Sequence, residues 1–597
     1  MDRSPGRAGY RERIRVAGVE GGSSRILDPD GGHARGPRWD AAGGRIAWIR
    51  DSRAGASVVV HDLARGSAEV IAGPCPEVAE IAWAPTGDRI AVVGRLDAAR
   101  ARGLAVEVRG LAYKRDGAGV SQDRAVLNIV TLDGGARMLF ADPAAELERP
   151  RWSPDGRWIA VRARDPGGYR SRLLVANAID GSTVGSVGST SSDFPYYCWS
   201  PDGASLILAG AMERSFHPSI QQYDVERARL VTIVDEPPCF VVDDPIARAD
   251  GRYLVHGRGR GRSGVWLLDP ASGEMRLLAL ADGRTWGAAG DARGTKVAQV
   301  VETSTVPPRV GIFEPATAAR RTISEPWPGG APGPLAGAEP LSTQSGDGTM
   351  IDYWLLRPPA AAPRRRHPAV VIVHGGPHHD VGDEWGAATE QYLASLGFVV
   401  AWGNPRGSTS YGRAFVDAVR GDFGGAELRD LAAVVAAIKS RPDVDPARIG
   451  ICGHSHGGFI AALACATTDA FRAAVCMAPI IDMVSEWGMS DEGRTWGELL
   501  IGGSPREAAA RYRELSPSTH AWRTTAPTLL LHGERDERCP IGQSELLYAI
   551  LRSAGVDAAF VRYPTAAHDL WTSPQLAQDV NERTGAWFVR TLAPEVA

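Results

Sequence analysis

Four short motifs toward the C-terminal end of the chain carry side chains that can do chemistry together: His374-Gly375-Gly376-Pro377, Gly453-His454-Ser455-His456-Gly457, His532-Gly533 followed by Asp536, and His568. A serine hydroxyl is a weak nucleophile until an imidazole takes its proton, and the imidazole works best when a carboxylate fixes its tautomer. Ser455, His568 and Asp536 supply those groups, which points to nucleophilic acyl transfer. Ser455 would attack a carbonyl, His568 would serve as general base and then general acid, and Asp536 would stabilise the imidazolium. The oxyanion formed on attack needs preorganised donors. The backbone N–H of Gly376, in a loop without side chains to block approach, and that of His456, the residue after the nucleophile, are assigned that role.

The flanking sequence supplies elements able to position these groups. Arg448-Ile-Gly-Ile-Cys452 reads as a short buried parallel strand entering the serine motif, and Gly457-Gly-Phe-Ile-Ala-Ala-Leu-Ala464 as the helix leaving it. Glycines on both sides of Ser455 allow a sharp strand-to-helix turn that lifts Oγ above the sheet edge, the nucleophile elbow of an α/β-hydrolase. The order Ser, Asp, His is the one that fold uses. Ala526-Pro-Thr-Leu-Leu-Leu531 and Val561-Arg-Tyr563 read as the strands that end before Asp536 and His568, and Ala369-Val-Val-Ile-Val373 as the strand before the H-G-G-P loop. By subtraction, 81 residues separate Ser455 from Asp536 and 32 separate Asp536 from His568, room for strand–helix units between them.

Other readings of the same residues are weaker. Glu534, Glu537 and Asp569 are rival carboxylates, but Asp569 adjoins the base in sequence and the two glutamates read as solvated loop charges. His374, His378, His379, His454 and His456 could suggest a metal, yet neither H-E-x-x-H nor C-x-x-C spacing accompanies them. No metal site is expected.

At 597 residues the chain exceeds one ordinary core, so at least two domains are expected. Hydrophobic content of 44%, charged content of 23% and a net charge of -4 describe a globular chain with no electrostatic reason to bind nucleic acid or an anionic membrane. The seven scattered cysteines read as reduced core residues. Neither the N-terminal stretch 1–22 nor any later segment has an apolar run long enough for a signal-peptide core or a membrane span, so a cytoplasmic location is expected.

Before about residue 325 a different pattern holds. Trp39-Asp-Ala-Ala-Gly43, Trp83-Ala-Pro-Thr-Gly87, Trp152-Ser-Pro-Asp-Gly156 and Trp199-Ser-Pro-Asp-Gly203 repeat one turn, and Ala247-Arg-Ala-Asp-Gly251 and Gly290-Asp-Ala-Arg-Gly294 are degenerate copies. Subtraction puts their glycines 44, 69, 47, 48 and 43 residues apart, near the ~40–50 residues of a four-stranded propeller blade. The interval of 69 holds an insertion around Arg95 to Arg124. Six repeats plus a blade closed by the N-terminal strand predict a seven-bladed β-propeller. Glu325-Pro-Trp-Pro-Gly-Gly-Ala-Pro-Gly-Pro334 reads as a linker. Beyond it, Gly346-Asp-Gly348 turns into Ile351–Leu356 as a first hairpin, and strands then alternate with helices such as 426–440 and 544–554, as in a doubly wound, mostly parallel sheet. The expected division is 1–324 for the N-terminal region and propeller, 325–340 for the linker and 341–597 for the α/β-hydrolase domain.

With these features the chain resembles the prolyl oligopeptidase family of serine peptidases, and within it the acylaminoacyl-peptidase-like branch. The matching stretches include Asn404-Pro-Arg-Gly-Ser-Thr-Ser-Tyr-Gly412, Gly421-Asp-Phe-Gly-Gly425 with Asp430, the H-G-G-P loop, the Ser455 elbow, His532-Gly-Glu-Arg-Asp536 and His568. The resemblance implies hydrolysis through an acyl-enzyme, a propeller that restricts substrates to short peptides, no cofactor and, in many members, a homo-oligomer. It covers nearly the whole chain, with departures at His456, where an aromatic residue is common, and at Cys539. A peptidase acting on short or N-blocked peptides is the leading expectation. An esterase or amidase acting on a small acylated metabolite, and a propeller carrying an inert hydrolase domain, are the alternatives. In the family the segment Ile480–Trp496 lines the pocket for the residue whose carbonyl is attacked. Here Glu486, Arg494 and Trp496, with Arg538 two residues after the acid, are the substrate-binding candidates. An arginine fork there would grip a carboxylate, so a polar, carboxylate-reading site is expected.

Overall fold

The structure is a computed structural model that describes residues 12–592 apart from 29–32, 97–104, 121–123, 169, 190–191, 213–214, 325–332, 360–365 and 387. The N-terminal half builds six antiparallel sheets in succession, over residues 33–75, 77–140, 146–187, 193–234, 240–280 and 284–322. Five have four strands and the fifth along the chain carries an extra short edge strand. The recurring turn is held by its own side chains: Ser153 Oγ donates to Asp155 Oδ1 at 2.6 Å, and Gly156 N donates to Ser153 O at 2.9 Å. The tryptophan before that turn joins one blade to the next. Trp83 Nε1 donates to Arg38 O at 3.0 Å, Trp152 Nε1 to Ala82 O at 3.1 Å and Trp199 Nε1 to Arg151 O at 3.0 Å, each acceptor lying one blade back. A buried indole needs a partner for its N–H, and the neighbouring carbonyl supplies it.

The seven-blade expectation is corrected to six. The N-terminal strands Arg15–Ala17 and Ser24–Ile26 pair with each other as a two-stranded hairpin and do not nucleate a four-stranded sheet. Ile14 and Leu27 pack on Ile46, Trp48 and Val59 of the first blade, while Glu20 at the hairpin tip pairs with Lys296 (2.8 Å) and Arg321 (3.0 Å) of the last. The hairpin therefore bridges the two ends of the ring, where a repeat count taken along the chain sees one more strand.

The C-terminal half is an eight-stranded sheet. Its strands are β1 (Glu339–Gln344), β2 (Met350–Leu356), β3 (His367–Val373), β4 (Val399–Gly403), β5 (Val444–His454), β6 (Ala473–Met477), β7 (Thr528–Gly533) and β8 (Ala558–Tyr563), in the spatial order 1-2-4-3-5-6-7-8. β1 and β2 form the antiparallel hairpin predicted at Gly346–Gly348; β3 to β8 run parallel. Alternate residues feed two cores, as period-2 strands covered on both faces must. Ile449 and Ile451 of β5 face the helices 425–439 and 456–467, while Cys452 faces the core that holds Phe588 of the helix Pro574–Leu592. Residues 325–332 of the expected linker lie outside the described residues, and Glu339 and Pro340 already belong to β1.

Candidate active site

β5 ends at His454, and the helix His456–Thr467 begins at once, leaving Ser455 alone in the turn with φ 61° and ψ −123°. A non-glycine residue rarely holds that conformation, and it persists here because the neighbours allow no alternative. A Cβ at Gly457 would stand 2.0 Å from Val373 O, and one at Gly453 would stand 2.4 Å from the Gly457 backbone. Both glycines are required by close approach of β3 to the elbow. Ser455 N donates to Met477 O of β6 at 2.8 Å, which ties the turn to the sheet edge.

Asp536 follows β7 and His568 follows β8, at the same end of the sheet. His568 Nδ1 and Asp536 Oδ2 are 2.8 Å apart. The second carboxylate oxygen accepts from Arg538 N (2.9 Å) and Cys539 N (2.8 Å), and His532 Nε2 lies 3.2 Å from Oδ2. Burial alone would raise the Asp536 carboxyl, but hydrogen bonds from His532 and His568 outweigh it and hold the group well below the usual carboxylate range. It is therefore a carboxylate at neutral pH, able to keep the proton on Nδ1 and leave Nε2 as the basic nitrogen. Ser455, His568, Gly376 and His456 line one cavity of about 160 Å³. The rival carboxylates are occupied elsewhere: Glu534 by Arg562 at 2.9 Å, Glu537 by Lys114 at 2.6 Å, and Asp569 by the Trp571 N–H at 2.8 Å.

The remaining walls of that cavity are Phe423, Ile480, Trp496, Cys539, Glu486 and Arg538. Arg538 lines it, but its guanidinium is taken up by Asp491 at 2.7 Å and Glu492 at 3.0 Å. Arg494 is exposed and lies outside the lining. Of the two expected arginines, Arg538 therefore lines the cavity while paired with two carboxylates of the chain itself, and Arg494 sits at an exposed position. What the cavity presents instead is the carboxyl of Glu486, 1% exposed, with Oε2 3.3 Å from Gln543 Nε2 and Oε1 buried without a hydrogen-bond partner. Burial, reinforced by the charge of Asp536, pushes it well above the usual carboxylate range.

His454 and His456, which flank Ser455, are neutral structural groups. Burial lowers His454 and His456 to about 3. His454 Nε2 lies 2.8 Å from His568 O and so holds His568 from its carbonyl side. His456 Nε2 lies 3.3 Å from Glu427 Oε1, out of hydrogen-bond alignment. Both side chains are almost fully buried, and burial raises the Glu427 carboxyl to about 8, so this is a contact between two uncharged groups at neutral pH. Sequence reasoning passed over Glu427 and Gln543, and it gave no site role to Phe423 of the Gly421–Gly425 motif or to Cys539; the nearness of Glu427 to that motif is the one signal that could have drawn attention to it.

Propeller residues meet this end of the sheet. Thr495 Oγ1 donates to Gly167 O at 2.9 Å, and Lys114 and Asp116 reach the loop after Asp536. Farther along the domain border, Arg258 and Arg284 of the fifth and sixth blades converge on Asp380 at 3.1 and 3.2 Å.

Residues 385–595 match the sequence profile of the prolyl oligopeptidase family. An uncharacterized peptidase of Bacillus subtilis is 29% identical over 92% of this chain and 89% of its own length. Dipeptidyl-peptidase 5 of Porphyromonas gingivalis is 24% identical over 75% of this chain and 68% of its own. The solved structure of Pyrococcus horikoshii acylaminoacyl peptidase shares the fold, with a TM-score of 0.81 at 22% identity, covering 98% of this chain and 92% of that one.

Proposed function

We propose that this chain, whose residues 385–595 match the profile of the prolyl oligopeptidase family, hydrolyses short or N-blocked peptides through an acyl-enzyme on Ser455. In this reading Ser455 Oγ attacks the scissile carbonyl as His568 Nε2 takes its proton, and the N–H groups of Gly376 and His456 receive the oxyanion. His568 then protonates the leaving amine. Water, activated by the same imidazole, attacks the ester carbonyl and releases the acid, which restores Ser455. Asp536 stays ionised throughout, which its lowered pKa favours.

The observation that carries the proposal is the 2.8 Å contact of His568 with Asp536 beside a cavity shared with Ser455. Contacts of the propeller with residues 491–495 and 537–568 support a role for residues 1–324 in limiting access, with 325–340 as the linker and 341–597 as the catalytic domain. The likeness to proteins named acylaminoacyl peptidase and dipeptidyl-peptidase 5 supports a short or N-acylated peptide as the substrate. A phosphonofluoridate should label Ser455, and Ser455→Ala should lose about 10⁶-fold in kcat on short acylated peptides. Peptide turnover unchanged in Ser455→Ala would overturn the assignment. Matched aminoacyl esters and peptides distinguish a peptidase from an esterase by kcat/KM.

A further inference from the structure

The second blade is the one whose repeat is too long, and part of the surplus forms a hairpin, Lys114–Arg115 paired with Gly119–Val120, outside that blade's four strands. Its turn residue Asp116 crosses to the hydrolase domain. Asp116 Oδ1 accepts from the Glu537 backbone N–H at 2.9 Å, and the His568 backbone N–H lies 3.3 Å from Oδ1 and 3.2 Å from Oδ2. The Asp116 N–H in turn donates to Asp491 Oδ2 at 2.9 Å, and Lys114 Nζ is 2.6 Å from Glu537 Oε2.

One carboxylate from the propeller thus joins the loop of the acid to the loop of the base. Residues 564–571 contain no helix or strand, so contacts set the position of His568. Three hold it: Asp536 at the ring, His454 Nε2 at the carbonyl and Asp116 at the N–H. On the other loop, Glu537 directly follows Asp536 in the chain. Hydrogen bonds from backbone N–H to a carboxylate are charge-assisted and stronger than neutral ones. Arg535 N also donates to Ala566 O at 2.9 Å, so loss of Asp116 would shift the two loops without unfolding them.

We propose that Asp116 is a positioning residue for the reaction: the insertion in the second blade holds His568 and Asp536 in register with Ser455, so the propeller takes part in assembling the catalytic site. This rests on the peptidase reading above for its substrates but not for its test. Full-length Asp116→Ala and Asp116→Leu are compared with the parent in three measurements: the second-order rate of Ser455 labelling by a phosphonofluoridate, kcat and KM per titrated site on a cleaved peptide, and thermal unfolding.

Labelling rate and kcat are expected to fall together by about 100-fold, the loss a roughly 1 Å misplacement causes, with KM within about twofold. Asp116→Asn, which keeps a carbonyl oxygen in the place of Oδ1, should recover most of the loss. Labelling and kcat within about threefold of the parent in both Ala and Leu variants would overturn the proposal. So would a loss confined to KM, which marks a substrate contact, or one matched by the unfolded fraction, which marks a structural role. If the parent cleaves no peptide, the peptidase reading fails, while the labelling rates still decide the role of Asp116.

Discussion

Replacing Glu427 by Gln isolates a buried carboxyl beside the nucleophile and makes a signed prediction about pH. Both side-chain oxygens of Glu427 lack hydrogen-bond partners, the residue is 1% exposed, and His456 Nε2, 3.3 Å from Oε1, is itself uncharged. Burial moves the carboxyl from an ordinary 4.5 to about 8. Between those two values the unfolded chain has released a proton that the folded chain keeps. Folding therefore takes up a proton in this window, and stability falls as pH rises from about 4.5 to about 8, then levels off. At about 1.4 kcal/mol per pH unit the accumulated loss is about 5 kcal/mol. Glutamine fills the same space and never ionises, so Glu427→Gln should track the parent below pH 4.5 and gain on it by up to that amount at pH 8 and above. Urea unfolding of both proteins from pH 4 to 9 measures this, since terms common to the two domains cancel in the difference. Because Glu427 touches the residue whose N–H is assigned to the oxyanion, kcat of the parent should also decline above pH 8 while that of the variant stays level. Parallel stability curves for parent and variant would refute the buried, protonated carboxyl.

Two further substitutions test the elements of the site. Asp536→Asn removes the charge that keeps the proton on His568 Nδ1 while preserving the contacts of the loop, and should lower kcat about 10⁴-fold with the unfolding midpoint little changed; a loss below about tenfold would mean another carboxylate orients the base. Gly457→Ala puts a Cβ where Val373 O stands 2.0 Å away. It should forfeit both Ser455 labelling and several degrees of thermal stability, and a variant labelled at the parental rate would show that the elbow can relax.

The parts of this protein legible in its sequence are those whose physical cause is local. The Ser455 elbow could be read because one backbone contact, Gly457 against Val373, forbids any side chain there, and a forced glycine beside a nucleophile leaves a visible motif. The strand that delivers Asp536 could be read from its apolar run, since both of its faces are covered. The blade turns could be read because Ser153, Asp155 and Gly156 hold one another within a few residues.

What only the tertiary structure decided depends on groups distant in the chain. The count is six because the N-terminal strands pair only with each other, and the ion pairs of Glu20 with Lys296 and Arg321 that join this hairpin to the last blade leave no periodic trace. Arg538 pairs with Asp491 and Glu492, 40 or more residues earlier, an association that its place two residues after Asp536 does not reveal. Asp116 and His568 lie 452 residues apart, and the hydrogen bond between them imposes no motif on either side. A carboxylate can accept any backbone N–H that folding brings within reach, so its partner cannot be named from residue type.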